Sequence, residues 1–254
     1  MRVVDGVLDL LFPYRLTCRL CGELLPAGVG LSHAVRPAPP GEDPVFSGMP
    51  PVPGLCHACG LSLSRLDYDC AVCGRPATGA GLCFSCQATP HFFRRSRHAG
   101  LFEGPLRDAL HRFKYEGEYR LADTLGAIVA YVAAREGMAA DVIVPVPLHR
   151  ARQRERGYNQ AALLARTVSR LTGMPVLQGL VRTRATAVQA NLAPARRGAN
   201  VAGAFAYRGA SLTGCGVILV DDVLTTGSTA DACAAVLLAA GAAWVDVVVV
   251  AAAR

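Results

Sequence analysis

The sequence is short of several residue types and motifs, and each shortage removes a class of protein. Charged residues make up 18% and aromatics 6% of its 254 residues, with a single tryptophan, Trp244, against 52% hydrophobic. A chain with so little charge and so much apolar content can bury a sizeable core, so disorder is not expected over most of its length. No G-x-x-x-x-G-K-[ST] occurs, which excludes the phosphate loop of nucleoside-triphosphate enzymes. No secretory signal is recognisable: the apolar stretch Val3–Phe12 is interrupted by Asp5 and Asp9, and lacks a basic flank with a cleavage site. The C-terminal apolar run, Ala232–Ala253, reaches bilayer length but contains Gly241 and Asp246. Its halves also differ. Ala232–Ala240 is helix-forming and Val245–Val250 is β-branched, so the run reads as a helix and then a buried strand, with no membrane span. The expected location is cytoplasmic. Cys215 and Cys233 have no base at a spacing that would activate them and read as buried apolar residues, as Trp244 reads as packing.

What is present centres on VILVDDVLTTGSTA, Val217 to Ala230. Four apolar residues run into two adjacent carboxylates, Asp221 and Asp222. Thr225, Thr226, Gly227, Ser228 and Thr229 follow, then an alanine-rich run that forms a helix. A loop of hydroxyls and amides at a helix N-terminus suits a phosphate, through unpaired N–H groups and the positive end of the helix dipole. Two adjacent carboxylates at a strand end repel each other unless a partner joins them, and ribose hydroxyls or a magnesium ion answer that need. The formal charge of +7 and a pI near 9.0 suit a polyanionic partner, although solvation alone also accounts for basic surfaces.

Eight of the ten cysteines fall in four C-x-x-C pairs: Cys18/Cys21, Cys56/Cys59, Cys70/Cys73 and Cys83/Cys86. Gly22, Gly60 and Gly74 directly follow three of them, as in knuckle turns that aim two thiolates at one ion. Four such pairs in series predict two tetrahedral zinc sites. Sequential sharing joins Cys18, Cys21, Cys56 and Cys59, and then Cys70, Cys73, Cys83 and Cys86. A crossed arrangement is the alternative, and the tight spacing of the last two pairs favours the sequential one. His33 and His57 then read as surface residues, since the thiolates complete both tetrahedra. Arg36–Gly54, rich in proline and glycine, reads as an irregular insert.

Composition changes at His91, which places a domain boundary between residues 91 and 92 and leads us to expect that zinc removal unfolds only the first ninety residues or so. HFFRRSRHAGLFEG reads as a strand or hairpin, and Pro105–Tyr115 and Tyr119–Arg135 as amphipathic helices. Asp141–Pro147 reads as a buried strand, His149–Gly157 as an arginine-dense loop, Tyr158–Leu171 as a helix and Val176–Val181 as a strand. Alternating strands and helices predict a doubly wound, mostly parallel α/β sheet, whose ligands sit beyond the carboxyl ends of the strands. Pro145–Arg156 and Asp221–Thr229 both lie at such ends. An acidic pair, a phosphate loop and an arginine-rich segment there describe a site for a sugar phosphorylated at both ends.

These residues carry a resemblance. VILVDDVLTTGSTA is similar to the signature of type I phosphoribosyltransferases, which bind 5-phosphoribosyl-1-pyrophosphate (PRPP). FKYEG at Phe113–Gly117, PVPLHRARQRERGYNQ at Pro145–Gln160, then Gln189, Leu192, Arg197, Asn200 and Phe205 narrow it. With the four cysteine pairs upstream, nearly the whole chain resembles the ComF family of competence proteins, a double zinc ribbon before a phosphoribosyltransferase-like domain. Tyr158 stands where phenylalanine is more usual. The resemblance implies that Asp221 and Asp222 are the catalytic or ribose-binding acids and that Thr225–Thr229 cradle the 5′-phosphate. It places Lys114 near the site, and Arg150 and Arg156 with PRPP and its magnesium. Single-stranded DNA would meet Arg94, Arg95, Arg152, Arg154 and Arg197, with Phe92, Phe93 and Tyr158 available for stacking. The segment Arg182–Asn200 corresponds to the superfamily's closing loop. Three functions follow as expectations: a PRPP-binding protein of DNA uptake, an active phosphoribosyltransferase, or an adaptor whose ribbon docks a helicase or uptake partner.

Overall fold

A computed structural model describes residues 17–25, 52, 54–64, 70–77, 81–184 and 203–253. Val3–Phe12, His33, nearly all of the 36–54 insert, Gln189, Leu192, Arg197, Asn200 and most of the 182–200 segment lie outside the described residues.

Four strands form one parallel sheet in the order β1-β6-β5-β2: β1 (Arg95–His98), β2 (Val142–Pro145), β5 (Gly216–Leu224) and β6 (Trp244–Ala252). The valine- and isoleucine-rich runs of β2, β5 and β6 are buried on both faces, which is why they read as continuous apolar stretches. The C-terminal run is the expected helix, α7 (Ser228–Ala239), followed by β6, and no helix among the described residues is long and apolar enough to cross a membrane. Asp246, fully buried in β6, is answered by Arg94 (Nε 2.8 Å and Nη2 2.7 Å) and by Arg95 (Nε 3.0 Å). Trp244 packs where a Cβ on Gly216 would otherwise lie and carries the Arg94 guanidinium 4.2 Å over its ring.

Helices α3 (Gly104–Tyr115), α4 (Leu121–Arg135) and α6 (Gln160–Thr172) cover the face bearing Ile143, Ile218, Val220, Val248 and Val250. Gly126 lets α4 close on α6, since a Cβ there would sit 2.5 Å from Thr167. The other face, with Val144, Val217, Leu219, Val247 and Val249, is covered by α7 and by a two-stranded antiparallel ribbon, β3 (Leu180–Arg182) and β4 (Phe205–Tyr207). Helices on both faces of a parallel sheet make the fold doubly wound, as expected.

Two elements differ from the reading of the sequence. The arginine-dense segment is a helix, α5 (Arg150–Arg156). His149 caps it by accepting from the Ala151 N–H, and Gly157 ends it at φ 85°. Arginine, alanine and glutamine are good helix formers, and caps at both ends outweigh the local density of like charge. In the segment expected as a strand at 176–181, Val176 makes one parallel bridge to Ile143, and the strand proper begins at Leu180.

The cysteine-rich segments do not stand apart from this body. Cys18, Leu20, Val52, Leu55, Cys56, Cys59 and Leu63, from the first pairs and α1 (His57–Ser64), share the core beneath α3, α4 and α6. Cys70, Cys73, Cys86 and Phe93, around α2 (Phe84–Ala88), share the core on the α7 face. The sheet therefore has one cysteine cluster on each side.

Candidate functional site

Strand β5 does not stop at the acids; it continues to Leu224, so Asp221 and Asp222 are inside it and their side chains leave on alternate faces. Asp222 turns toward α3, where Lys114 Nζ stands 2.7 Å from its Oδ1. Lys114 is the chain's only lysine; every other basic side chain of its 26 Lys and Arg is arginine. Asp221 turns toward α7 and β3, within electrostatic reach of Cys233 and Arg182, and accepts the Asp222 N–H at 2.8 Å. Burial, and then the Asp222 charge, raise Asp221 to about 7, while Asp222's N–H, Lys114 and Arg182 pull the other way. Burial pushes the Cys233 thiol well up, so it is a neutral core group.

Both acids open on one cavity of about 630 Å³ beyond the carboxyl ends of β2 and β5. Its walls bring together Pro147, Arg152 and Arg156 from the α5 region, Arg107 and Lys114 from α3, and Thr225, Gly227 and Thr229 from the loop between β5 and α7. Gly227 holds φ 85°, a conformation that glycine adopts without strain, and starts α7. The Thr226 and Ser228 hydroxyls bond to each other at 2.8 Å, and the Ser228 N–H donates to Thr226 Oγ1 at 3.4 Å. Arg156 lies 5.1 Å over the exposed Tyr115 ring.

The expected arginines separate. Arg152 and Arg156 line the acid cavity, whereas Arg150 lines a neighbouring cavity of about 650 Å³ on the other side of α5, and Arg154 is exposed. That second cavity also holds His149, Arg166, Arg182 and Arg208, and has no carboxylate among the described residues of its lining. Arg94 and Arg95 lie at the opposite end of the sheet from the acids, engaged with Asp246.

Arg182, Gln160, Tyr158 and Asn159 complete the site region. Arg182, half-buried at the end of β3, lines both cavities and stacks 5.5 Å over Phe205; burial and then Arg152 lower its pKa. Gln160 lines the acid cavity with its side chain buried and its Nε2 without a hydrogen-bond partner among the described residues. A buried amide left unpaired beside a cavity is costly, and a ligand oxygen would satisfy it. Tyr158 adds what a phenylalanine lacks: its hydroxyl donates to the Phe113 carbonyl, fixing the turn of α3 that carries Lys114. Asn159 caps α6 and also donates to the Val146 carbonyl at 3.1 Å, tying the end of β2 to the helix.

The cysteines form two groups, Cys18/Cys21/Cys56/Cys59 and Cys70/Cys73/Cys83/Cys86, with each group's sulfurs within 4.8 Å of one another. This is the sequential sharing, and His57 is in neither group. Cys21 Sγ lies 3.7 Å from Cys56 Sγ, and Cys73 Sγ 3.6 Å from Cys83 Sγ. A tetrahedron with Zn–S bonds of about 2.3 Å has edges of about 3.8 Å, so the sulfurs fit zinc. The clusters are built alike. Gly22 and Gly74, at φ 76° and 69°, return N–H bonds to the Cys18 and Cys70 carbonyls at 2.9 Å, as knuckle turns do. Each second pair instead sits at the start of a helix, and Gly60 is therefore helical and not a knuckle glycine. Burial opposes ionisation at Cys18 and Cys70, yet backbone amides outweigh it and bring them to about 7 and about 6. Burial and neighbouring thiols push Cys59 and Cys86 well up. Only a shared cation would stabilise all four thiolates together.

A doubly wound parallel α/β domain with an acidic pair, a single lysine and a hydroxyl-rich loop toward the carboxyl ends of its strands, flanked by two four-cysteine clusters, defines the class. No protein-family model matches the chain. It is 34% identical over 201 residues to the DNA utilization protein YhgH of Escherichia coli (strain K12), covering 76% of this chain and 88% of that protein. It is 33% identical over 193 residues to Competence protein F of Haemophilus influenzae, covering 69% and 80%. With Competence protein ComFC of Bacillus subtilis it shares 26% over 199 residues, covering 74% and 80%. The chain belongs to the ComF family of competence proteins. Among solved structures, a glutamine PRPP amidotransferase from B. subtilis overlays 50% of this chain and 25% of its own at 25% identity, with a TM-score of 0.36.

Proposed function

We propose that the acid cavity binds PRPP with magnesium, in a cytoplasmic protein of DNA uptake and transformation that also contacts single-stranded DNA. The observation that carries the reading is the convergence of both acids, Lys114, four arginines and the phosphate loop on one cavity. In this reading Thr225, Thr226, Gly227, Ser228 and Thr229 hold the 5′-phosphate, and Asp221 and Asp222 hold the ribose hydroxyls. Magnesium, which prefers one or two carboxylates together with substrate phosphates, would be held by Asp221 and Asp222 and would offset the negative charge of the pyrophosphate. Arg152 and Arg156 face that end, and Lys114 is compact enough to move from Asp222 to a phosphate oxygen. The names of the relatives, DNA utilization and competence, support the cellular role. The carboxylate-free arginine cavity across α5, with Arg154 beside it, is the surface we assign to DNA phosphates.

Two other readings have an observation each. Phe102 and Tyr115, partly exposed at the cavity wall, favour a transferase that stacks an acceptor base. Leu82, Phe84 and Phe92, exposed about the second cysteine cluster, favour a docking surface for a helicase or uptake partner. Calorimetric titration of the zinc-loaded protein with PRPP and magnesium decides between binding and none, and product analysis with candidate bases then separates the transferase. Wild type should bind. Asp221→Asn combined with Asp222→Asn should abolish the heat, and a wild type that gives none refutes the proposal.

A further inference from the structure

We infer that Arg75 is a strut through which the second cysteine cluster sets the conformation of the phosphate loop. The inference rests on the reading of residues 225–229 as the phosphate-binding loop. Arg75 lies two residues beyond Cys73, and its side chain reaches across 150 residues of sequence. Its Nε donates to Cys73 Sγ at 3.4 Å, and its Nη1 donates to the Thr225 carbonyl at 3.1 Å. A guanidinium is suited to this, because its planar fork presents several donors in fixed directions. Sulfurs held as thiolates by a metal would strengthen the Cys73 bond, since hydrogen bonds between charged groups are the stronger ones.

The base of the strut is fixed. Cys73 and Gly74 are docked on β1, where Ser96 Oγ donates to the Cys73 carbonyl at 3.0 Å and His98 Nε2 lies 3.1 Å from the Gly74 carbonyl. Its far end meets the first residue after β5. In a trans peptide the carbonyl and the next N–H point opposite ways. Holding the Thr225 carbonyl toward the cluster therefore turns the Thr226 N–H away from it, and the loop's later amides follow from that first peptide plane.

A second contact acts on the same loop. The His91 and Phe93 rings stack at 4.5 Å and lie under Gly227, where a Cβ would come within 3.5 and 3.7 Å of them. The Phe92 N–H donates to Asp231 Oδ1, in the first turn of α7, at 2.6 Å. Residues 91–93 follow α2, which carries Cys86. A cluster that lines no part of the acid cavity thus holds the loop at both of its ends, and its metal content should set how well the loop is preorganised.

The test uses full-length, zinc-loaded protein and three variants: Arg75→Gln, Arg75→Lys and, as a remote control, the exposed Arg170→Gln. Zinc content, PRPP affinity with magnesium, and hydrogen exchange of residues 226–231 without ligand are measured on each. Arg75→Gln should keep both zinc ions, weaken PRPP by about tenfold, the loss of one charge-assisted hydrogen bond, and expose 226–231 to faster exchange. Arg75→Lys, which cannot span both acceptors, should fall between, and it supplies the result if the glutamine variant does not fold. Arg170→Gln should match wild type. Unchanged exchange at 226–231 in a zinc-retaining variant overturns the strut, as does loss of zinc from Arg75→Gln, which would make the arginine a support of the metal site. If wild type does not bind PRPP, the reading of the loop falls, and exchange alone then decides the strut.

Discussion

At the scale of single residues, Asp221 is the group whose chemistry differs most between the folded and unfolded chain. Its pKa rises from 3.8 to about 7 in the folded protein, by burial first and the Asp222 charge second. The folded state therefore binds this proton more tightly than the unfolded state does. Between about pH 4 and 7 the folded chain gives up relative stability as pH rises, and above 7 the cost is complete. Asp221→Asn removes that cost, so the variant's gain in Tm over wild type should be larger at pH 8 than at pH 5. An equal gain at both values would mean that the carboxylate is not held at a raised pKa. Magnesium at the acids would oppose the same shift, since a cation favours the ionised form. The acid pair was legible in the sequence because two charges interrupt an apolar strand. Gln160, Arg182 and Arg75 were not, because each acts through contacts distant in sequence, and a single arginine or glutamine has no periodicity to mark it.

At the scale of elements, strands and long helices were legible because burial leaves a mark: a continuous β-branched run for a strand covered on both faces, and apolar spacing or an alanine-rich run for a helix. β6, α3, α4 and α7 lie where such runs and spacing put them, and β5 does too except that it continues past the acids to Leu224. The failures share one cause. α5 and the region of β3 are short, and their form is set by a cap, a turn glycine or a neighbouring strand, which hydrophobic spacing does not register. The junction of α3 with the segment before α6 shows what such a local contact contributes. Tyr158 donates to the Phe113 carbonyl, and its ring packs 5.8 Å from the Phe113 ring. Tyr158→Phe keeps the ring contact and leaves a carbonyl near the end of α3 without that donor. It should lower unfolding stability by about 1 kcal/mol. Urea unfolding would show this as a lower midpoint with an unchanged slope, and a midpoint within error of wild type would mean that the hydroxyl bond adds nothing.

At the scale of the whole molecule, the question is whether the cysteine-rich part and the α/β part, divided by composition at residues 91 and 92, behave as separate bodies. The contacts cross that line on both faces of the sheet. Leu20, Val52, Leu55 and Leu63 belong to the core of α3, α4 and α6, Arg112 donates to the Arg19 and Leu20 carbonyls, and Arg135 donates to the Leu63 carbonyl. On the other face, Arg75 reaches the Thr225 carbonyl, just after β5. Burying an aliphatic side chain contributes roughly 2 kcal/mol, so these four alone amount to about 8 kcal/mol, comparable with the 5–15 kcal/mol that holds a typical domain. A metal-free cluster that opened would withdraw that burial from the α/β core as well. Chelation should therefore lower the unfolding temperature of the entire described body, and scanning calorimetry should show its main transition move down with zinc removal and return when zinc is restored. A main transition that stays in place while a small, separate one disappears would mean that residues 92–254 fold on their own, and the shared cores would then be contact without thermodynamic coupling.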